Sequence, residues 1–280
     1  MKTWFITGTS RGFGRMMTEK LLERGDRVAA TIRQEHALDD LKQKYGEQLW
    51  VAKLDVTDIA AVKHVVNQAF GELGQIDVIV NNAGYSLFGA VEEVSDEQIA
   101  HQFNTNFMGS LQVARAAIPH LRAQGGGRIL QVSSMAGQVA MPAVSMYHAS
   151  KWAVEGFFEA LVQEVAPFNI QGTLIEPGGA RTSFGSEGIV VAEAMTEYEG
   201  TPVGHIRGLI SGYGGDMIPG DPLKMVEAMI KAADLETAPL RLTLGSDAYN
   251  AIHKSLSDRL ALLEQQKEVA LSTDFKAKEA

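Results

Sequence analysis

The amino-acid sequence predicts an α/β fold: a doubly wound parallel sheet in a single domain spanning residues 1–272. Three observations predict it. Short apolar runs alternate with longer amphipathic ones, the order of strands and helices in a parallel sheet. The short runs are apolar almost without a break, as strands covered on both faces are. Glycines and small polar residues gather just after several of these runs, where such a sheet turns into a helix or loop.

The elements follow in order. Trp4, Phe5, Ile6 and Thr7 run into a glycine and read as a buried first strand. Residues 16–24 read as a helix, with Met16, Met17, Leu21 and Leu22 on one face and Gly25 as its stop. A strand at 27–32, a helix at 37–45 and a strand at 49–54 continue the alternation. A helix at 59–73 leads to a fourth strand at 76–80. One long helix is expected over 96–122, a fifth strand over 128–132, another long helix over 145–166 and a sixth strand over 170–175. The character then changes. Residues 182–222 are rich in glycine (200, 204, 208, 212, 214, 215, 220) and broken by prolines, which reads as a small mobile lid. A helix at 222–233, a late strand at 240–244 and a helix at 247–268 complete the domain, and residues 273–280 form a polar, frayed tail.

Composition narrows the function. Lys and Arg number 25 against 34 Asp and Glu, a net charge of −9, which argues against nucleic acid and anionic membranes as partners. With no cysteine there is no disulfide, no thiolate catalysis and no thiolate metal site, in keeping with a cytoplasmic location. The seven histidines are scattered, with no H-E-x-x-H spacing, so no metal site is expected. The opening MKTWFITGTS reads as a strand and loop rather than a targeting segment, and no apolar run reaches the ~18 residues of a transmembrane helix. Glycine is enriched, at 28 of 280 residues against an average near ~7%.

Part of that glycine lies in Thr7-Gly8-Thr9-Ser10-Arg11-Gly12-Phe13-Gly14, between the first strand and the first helix. Glycines there let the backbone approach a pyrophosphate, and the helix N-terminus offers free N–H groups to it. A plain turn would also satisfy the spacing, which is not the G-x-G-x-x-G of the general dinucleotide fingerprint. Some 20 residues beyond Gly14, where an acid would hold a ribose 2′-hydroxyl, stands Arg33, and Glu35 lies past the turn. Arg33 and Arg11 suit a 2′-phosphate, although both also read as solvated surface residues. NADP is therefore favoured over NAD.

Tyr147-His148-Ala149-Ser150-Lys151 places a phenol and an ammonium at i and i+4 of a helix, on one face. The cation is expected to lower the phenol pKa and make Tyr147 a general acid or base. His148 points about 100° away and reads as structural. Asn81-Asn82-Ala83-Gly84 follows the fourth strand, Ser133-Ser134 ends the fifth, and Pro177-Gly178 ends the sixth. One cleft at the carboxyl edge of the sheet explains them all. By contrast, Gly125-Gly126-Gly127 precedes a strand and reads as a turn.

Taken together, T-G-x-x-x-G-x-G, N-N-A-G, the serine, Y-x-x-x-K and the P-G-x-x-x-T segment from Pro177 to Thr182 resemble the short-chain dehydrogenase/reductase family, in its shorter branch, over about residues 3–185. The resemblance implies a Rossmann-type sheet and an alcohol–carbonyl oxidoreductase using NADP(H). The family's serine stands thirteen residues before its tyrosine, which selects Ser134 over Ser133. Asn106 matches its asparagine, so Asn106, Ser134, Tyr147 and Lys151 form the catalytic set. Implied cofactor contacts are Gly8, Ser10, Arg11, Gly12, Phe13, Gly14, Arg33, Asp55 (at the adenine), Val56, Asn82, Ala83, Gly84, Tyr147, Lys151, Pro177, Gly178 and Thr182. The substrate is expected at Ser134, Tyr147, Met141, Val144 and Phe184, whose apolar members suit an apolar alcohol or ketone. Residues 28–33, V-A-A-T-I-R, resemble the group holding 17-beta-hydroxysteroid and retinol dehydrogenases, which act on such molecules. Relatives pair helices, so a homodimer or homotetramer through 107–119 and 152–165 is expected. A non-catalytic NADP(H)-binding sensor is the alternative; it would bind NADPH without turning over any carbonyl.

Overall fold

A computed structural model describes residues 1–212 and 218–275; residues 213–217 of the expected lid and 276–280 of the expected tail lie outside the described residues. The elements run β1 (Thr3–Ile6), α1 (Gly12–Glu23), β2 (Arg27–Ile32), α2 (Asp39–Tyr45), β3 (Leu49–Lys53), α3 (Ile59–Leu73), β4 (Val78–Asn81), β5 (Ser86–Phe88), α4 (Asp96–Phe103) and α5 (Gly109–Ala123). Then follow β6 (Gly127–Val132), α6 (Ser145–Val165), β7 (Ile170–Pro177), α7 (Phe184–Glu187), β8 (Ile189–Val191), α8 (Pro202–Gly212), α9 (Pro222–Asp234), β9 (Arg241–Leu244), α10 (Ser246–Gln265) and α11 (Lys267–Ser272).

Among the described residues the main sheet has seven strands in the order β3-β2-β1-β4-β6-β7-β9, each pair parallel. The order reverses between β1 and β4, which opens a crevice at their carboxyl ends. Side chains alternate across β1: Phe5 joins Val62, Val66, Val113 and Phe158 in one layer, while Trp4 and Ile6 join Met17, Leu21, Val226 and Met229 in the other. Each of these side chains contributes roughly 1.5–3 kcal/mol by leaving water. The sheet is thus clamped by α3, α5 and α6 on one face and by α1 and α9 on the other.

Local chemistry sets the helix starts. Asp58 caps α3 by accepting from Ala61 N at 2.9 Å, and Ser95 with Gln98 forms a capping box on α4. Asp221 caps α9, whose first residue is Pro222.

The structure departs from the sequence expectation in three places. The helix expected over 96–122 is continuous in space but carries a π-helical turn, Asn104–Met108, between α4 and α5. Ser86–Phe88 and Ile189–Val191 pair in a second, two-stranded parallel sheet that ties the lid to the loop after β4. The C-terminal helix breaks at Gln266 into α10 and α11. Within 182–212 lie the helices α7 and α8 and the strand β8, and short helices fit the expectation for this stretch.

Candidate active site

The cleft begins at the loop after β1. Gly8 and Gly12 have φ of +71° and +59°, a region that favours glycine. A Cβ on Gly14 would lie 2.3 Å from Gly8 O and 2.6 Å from Asn82 Nδ2, so the turn closes only around glycine. Asn82 and Ala83 stitch β4 to this loop: their N–H groups donate to Thr7 Oγ1 at 3.0 and 3.1 Å, and Asn82 Nδ2 donates to Thr7 O and Gly8 O. Arg11, the N-cap of α1, makes no side-chain cap. The first N–H groups of α1 are thus left without a side-chain cap, which fits a dinucleotide pyrophosphate. Ser10 is half-buried beside them, and Phe13 packs against the core.

The tips of β2 and β3 carry the next group. Arg33 is exposed just past β2. Asp55 accepts from Thr57 N at 2.9 Å and Thr57 Oγ1 at 2.8 Å. Partial burial works to raise its pKa, but those bonds and the charges of Arg33 and His101 hold the carboxyl below its usual range. Val56 is buried against Gly109 at the start of α5. Glu35 is taken up by Lys53 at 2.9 Å, which leaves Arg33 without an acidic rival from that side. Arg11 does not turn toward this corner; it pairs with Glu187 at the end of α7 and donates to Glu187 O at 2.8 Å.

The expected catalytic groups come from three places: the π turn, the turn after β6 and α6. The π turn holds Asn106, whose Nδ2 donates to Tyr85 O at 2.9 Å and Ser150 Oγ at 3.1 Å and whose Oδ1 accepts from Tyr85 N. Such turns place one extra residue on a helix face, often at functional sites. Gly84 lies against this asparagine: a Cβ there would sit 3.2 Å from Asn106 Oδ1 and 3.9 Å from Lys151 Nζ. On α6, Lys151 is 6% exposed, donates to Val132 O at 3.0 Å, and has its ammonium 5.8 Å from the centre of the Tyr147 ring. Ser134 caps a short turn by accepting from Ala136 N at 3.1 Å and hydrogen-bonds the Tyr147 hydroxyl. Its neighbour Ser133 is buried and donates to Glu155 Oε1 at 2.7 Å, so the two serines face opposite ways. Tyr147, Ser134, Lys151, Asn106 and Gly84 thus come together at one end of the cradle.

The electrostatics correct one expectation. Burial pushes the Tyr147 phenol above its ordinary value, with the hydrogen bond from Ser134 opposing; Lys151 does not lower it here. Desolvation outweighs a cation that lies beside the ring rather than against the hydroxyl. The same burial lowers Lys151 to about 8, with the charge of Glu155 resisting. His148 is a clamp: its Nδ1 lies 2.8 Å from Ala136 O, its Nε2 accepts from Met141 N at 3.0 Å, and burial lowers its pKa.

At the far side, Pro177 ends β7, and Gly178 N donates to Leu244 O at 2.8 Å. Thr182 Oγ1 accepts from Phe184 N at 3.2 Å. Met141 and Phe184 are exposed at the rim, whereas Val144 is buried at the N-cap of α6. No three His, Asp or Glu side chains gather as a metal site among the described residues, and no described helix is long and apolar enough to cross a membrane.

A family model described as short chain dehydrogenase matches residues 2–188. The chain belongs to the short-chain dehydrogenase family. This dehydrogenase is similar to an oxidoreductase of Botryotinia fuckeliana (strain B05.10), 37% identical over 273 residues that cover 97% of this chain and 99% of the relative. A 3-ketodihydrosphingosine reductase of Bacteroides thetaiotaomicron is 38% identical over 182 residues, 64% of each chain. Among solved structures, a short-chain dehydrogenase from Streptomyces avermitilis superposes with a TM-score of 0.91 at 37% identity, covering 98% of this chain and 100% of that one. The closed form of serine dehydrogenase complexed with NADP⁺ superposes at 0.73 with 26% identity, over 86% and 94%.

Some parts of the dehydrogenase site escaped the sequence reading. Ser150 bridges Asn106 to Tyr147 O, and it stands inside the tyrosine–lysine motif itself. Glu155, Glu176 and Arg241 form a buried cluster behind Lys151. Glu155 is separated from Lys151 by one helical turn, a spacing that could have flagged it.

Proposed function

We propose that the protein is an NADP(H)-dependent oxidoreductase that interconverts an alcohol and a ketone or aldehyde, acting on an apolar substrate. The observation that carries this reading is the convergence of Tyr147, Ser134, Lys151 and Asn106 at the open end of the glycine cradle. Bound nicotinamide supplies the hydride. The chain supplies proton handling and alignment. Ser134 Oγ donates to the substrate carbonyl oxygen and sets it against Tyr147. Tyr147 Oη gives that oxygen its proton, and the raised phenol pKa keeps the proton in place at neutral pH until it is needed. The Lys151 ammonium holds the nicotinamide ribose and steadies the tyrosinate once it forms. Asn106, fixed by Tyr85 and Ser150, keeps the route from Lys151 to solvent open. Pro177, Gly178 and Thr182 would hold the nicotinamide carboxamide.

Arg33, with no acid at the tip of β2, supports NADP(H) over NAD(H), and the NADP⁺-bound structural relative is in keeping with it; Arg11, held by Glu187, adds nothing to that preference. Exposed Met141 and Phe184 at the rim support an apolar substrate, and the relative named for a keto compound supports a ketone. The assembly we infer is a homodimer or homotetramer through the faces of α5 and α6, where Trp152 is 41% exposed. Light scattering at the mass of one 30.3 kDa chain would count against that assembly.

The test is oxidation of NADPH, beside NADH, with a panel of ketones, aldehydes and quinones. The parent is expected to turn over apolar carbonyls with NADPH in preference to NADH. Tyr147→Phe is expected to lose at least ~100-fold in kcat, the scale of a general acid. Parent-like turnover by that variant would remove Tyr147 from its role, and equal use of NADH would remove the cofactor preference.

A further inference from the structure

Behind the tyrosine–lysine pair lies a cluster of buried charge that the reaction above does not use. Glu155 on α6 is 3% exposed, and Glu176 on β7 is 1% exposed. Arg241, from the edge strand β9, joins them: it donates to Glu155 Oε2 at 2.6 Å, to Glu176 Oε1, and to Glu159 Oε1 at 2.8 Å. Thr243 Oγ1 donates to Glu176 Oε2 at 2.9 Å. Buried ion pairs add little stability compared with apolar packing of the same volume. A cluster placed one helical turn from Lys151 therefore points to a task at the site.

Two bonds of Glu155 lead toward the reacting groups. Oε1 accepts from Ser133 Oγ at 2.7 Å, and Oε2 accepts from Gln138 Nε2, so the carboxylate clasps both ends of the turn that carries Ser134. Gly137 makes room for it, since a Cβ there would lie 2.1 Å from Glu155 Oε1. Ser134 can face the cleft because Ser133 is tied back to α6. Lys151, at i−4 from Glu155 on the same helix face, feels the carboxylate as a counter-charge to its own buried ammonium.

We propose that Glu155 is a positioning residue that fixes the β6 tip presenting Ser134 and keeps Lys151 in its charged form. This rests on the reading that Ser134 and Lys151 serve carbonyl reduction. The titratable groups around the pair and its turn are Tyr147, His148 and Glu159 on α6, Glu176 from β7, Arg241 from β9 and Arg259 from α10; the turn after β6 contributes Ser133 and Ser134, and the π turn contributes Asn106, none of them charged. Arg241 holds Glu155 in place. Burial and the neighbouring Glu155 push the Glu176 carboxyl above its usual value, with Thr243 and Arg241 opposing.

The experiment is the pH profile of kcat for NADPH-dependent carbonyl reduction. The ammonium is the working form, so activity falls as pH rises through the Lys151 pKa. Glu155→Gln is expected to move this alkaline limb to lower pH by about one unit, the scale of a lost neighbouring charge. Glu155→Asp, which keeps the charge, is expected to restore it. Profiles of parent and Glu155→Gln that superimpose overturn the proposal, whatever the height of the plateau. Tyr147→Phe in the same assay separates the two readings: if it still turns over, the reaction assignment fails, and if it is inactive while the Glu155→Gln limb stays put, Glu155 alone loses its role. If circular dichroism shows Glu155→Gln unfolded, Ser133→Ala carries the test, since it cuts the clasp and leaves every charge. It is expected to lower kcat several-fold with the limb unmoved; an unchanged kcat or a shifted limb overturns the proposal.

Discussion

Gly14 stands where one added carbon meets the carbonyl of Gly8 at 2.3 Å, a contact between backbones that no rotamer can relieve. The residue before the cradle closes and the residue after it must then part, and the N–H groups that would face a pyrophosphate lose their aim. Gly14→Ala is therefore expected to weaken NADPH binding at least tenfold, about 1.4 kcal/mol, in a fluorescence titration. Thermal stability should fall by only a few degrees, because Phe13 is the one cradle side chain packed against a core layer and Gly14 itself adds no apolar side chain to either. An unchanged Kd would show that this loop does not hold the cofactor. At Gly25 and Gly74 a Cβ would meet nothing within 4 Å. Two positions of one residue type therefore answer to different constraints, close approach at Gly14 and positive φ at Gly25.

The segment expected to form a lid shows the same economy at the level of elements. Glu93 is fully covered at its side chain and accepts from Ala90 N at 2.7 Å, from Met195 N at 2.9 Å and from Arg207 Nη2 at 2.5 and 2.6 Å. One carboxylate thus pins the turn after β5, the strand leaving β8 and helix α8. Glu93→Gln keeps the shape and loses the charge; it is expected to raise KM for an apolar carbonyl about tenfold, the effect of a lost charge-assisted bond of ~1.5–3 kcal/mol partly made up by the amide. NADPH affinity should hold, and limited proteolysis within 196–212 should quicken. A KM equal to the parent's would detach the lid from substrate binding. Glu93 is also where the sequence ran out. The main strands were legible because most are apolar runs between turn residues; the glycine, asparagine, serine and proline motifs were legible because they fall at strand ends, and Tyr147 with Lys151 because they stand four apart on α6. β5 and β8 were not: three residues each, about a hundred apart, they pair only because the lid folds back. The π turn at Asn106 was hidden as well, since one extra residue in a helix does not disturb its apolar stripe. Glu93 and Glu155 were not singled out in the sequence, because their partners Arg207 and Arg241 lie far along the chain.

For the molecule as a whole, the parallel sheet gathers the ends of β1, β4, β6 and β7 on one edge, and two apolar layers supply stability that this edge then spends on burying Lys151. Its pKa falls from 10.5 to about 8 because the ammonium has left water. The shift means that the unfolded chain holds this proton more tightly than the folded one. Between pH about 8 and 10.5 the unfolded state binds more protons, so this group makes stability rise with pH across that window; below pH 8 the whole penalty is in force. At about 1.36 kcal/mol per unit the penalty at neutral pH is on the order of 3 kcal/mol. Lys151→Met replaces the ammonium by an apolar chain of similar length and gives up the bond to Val132 O. It is expected to end carbonyl reduction and yet to raise the unfolding free energy at pH 7 by up to about 3 kcal/mol in urea, some of it returned through the unpaired carbonyl. The gap between variant and parent should narrow as pH rises from 8 toward 10.5, because only the parent sheds its buried charge there. A variant less stable than the parent at pH 7, or a gap that does not change with pH, would mean that the fold does not bear the cost of a charged Lys151.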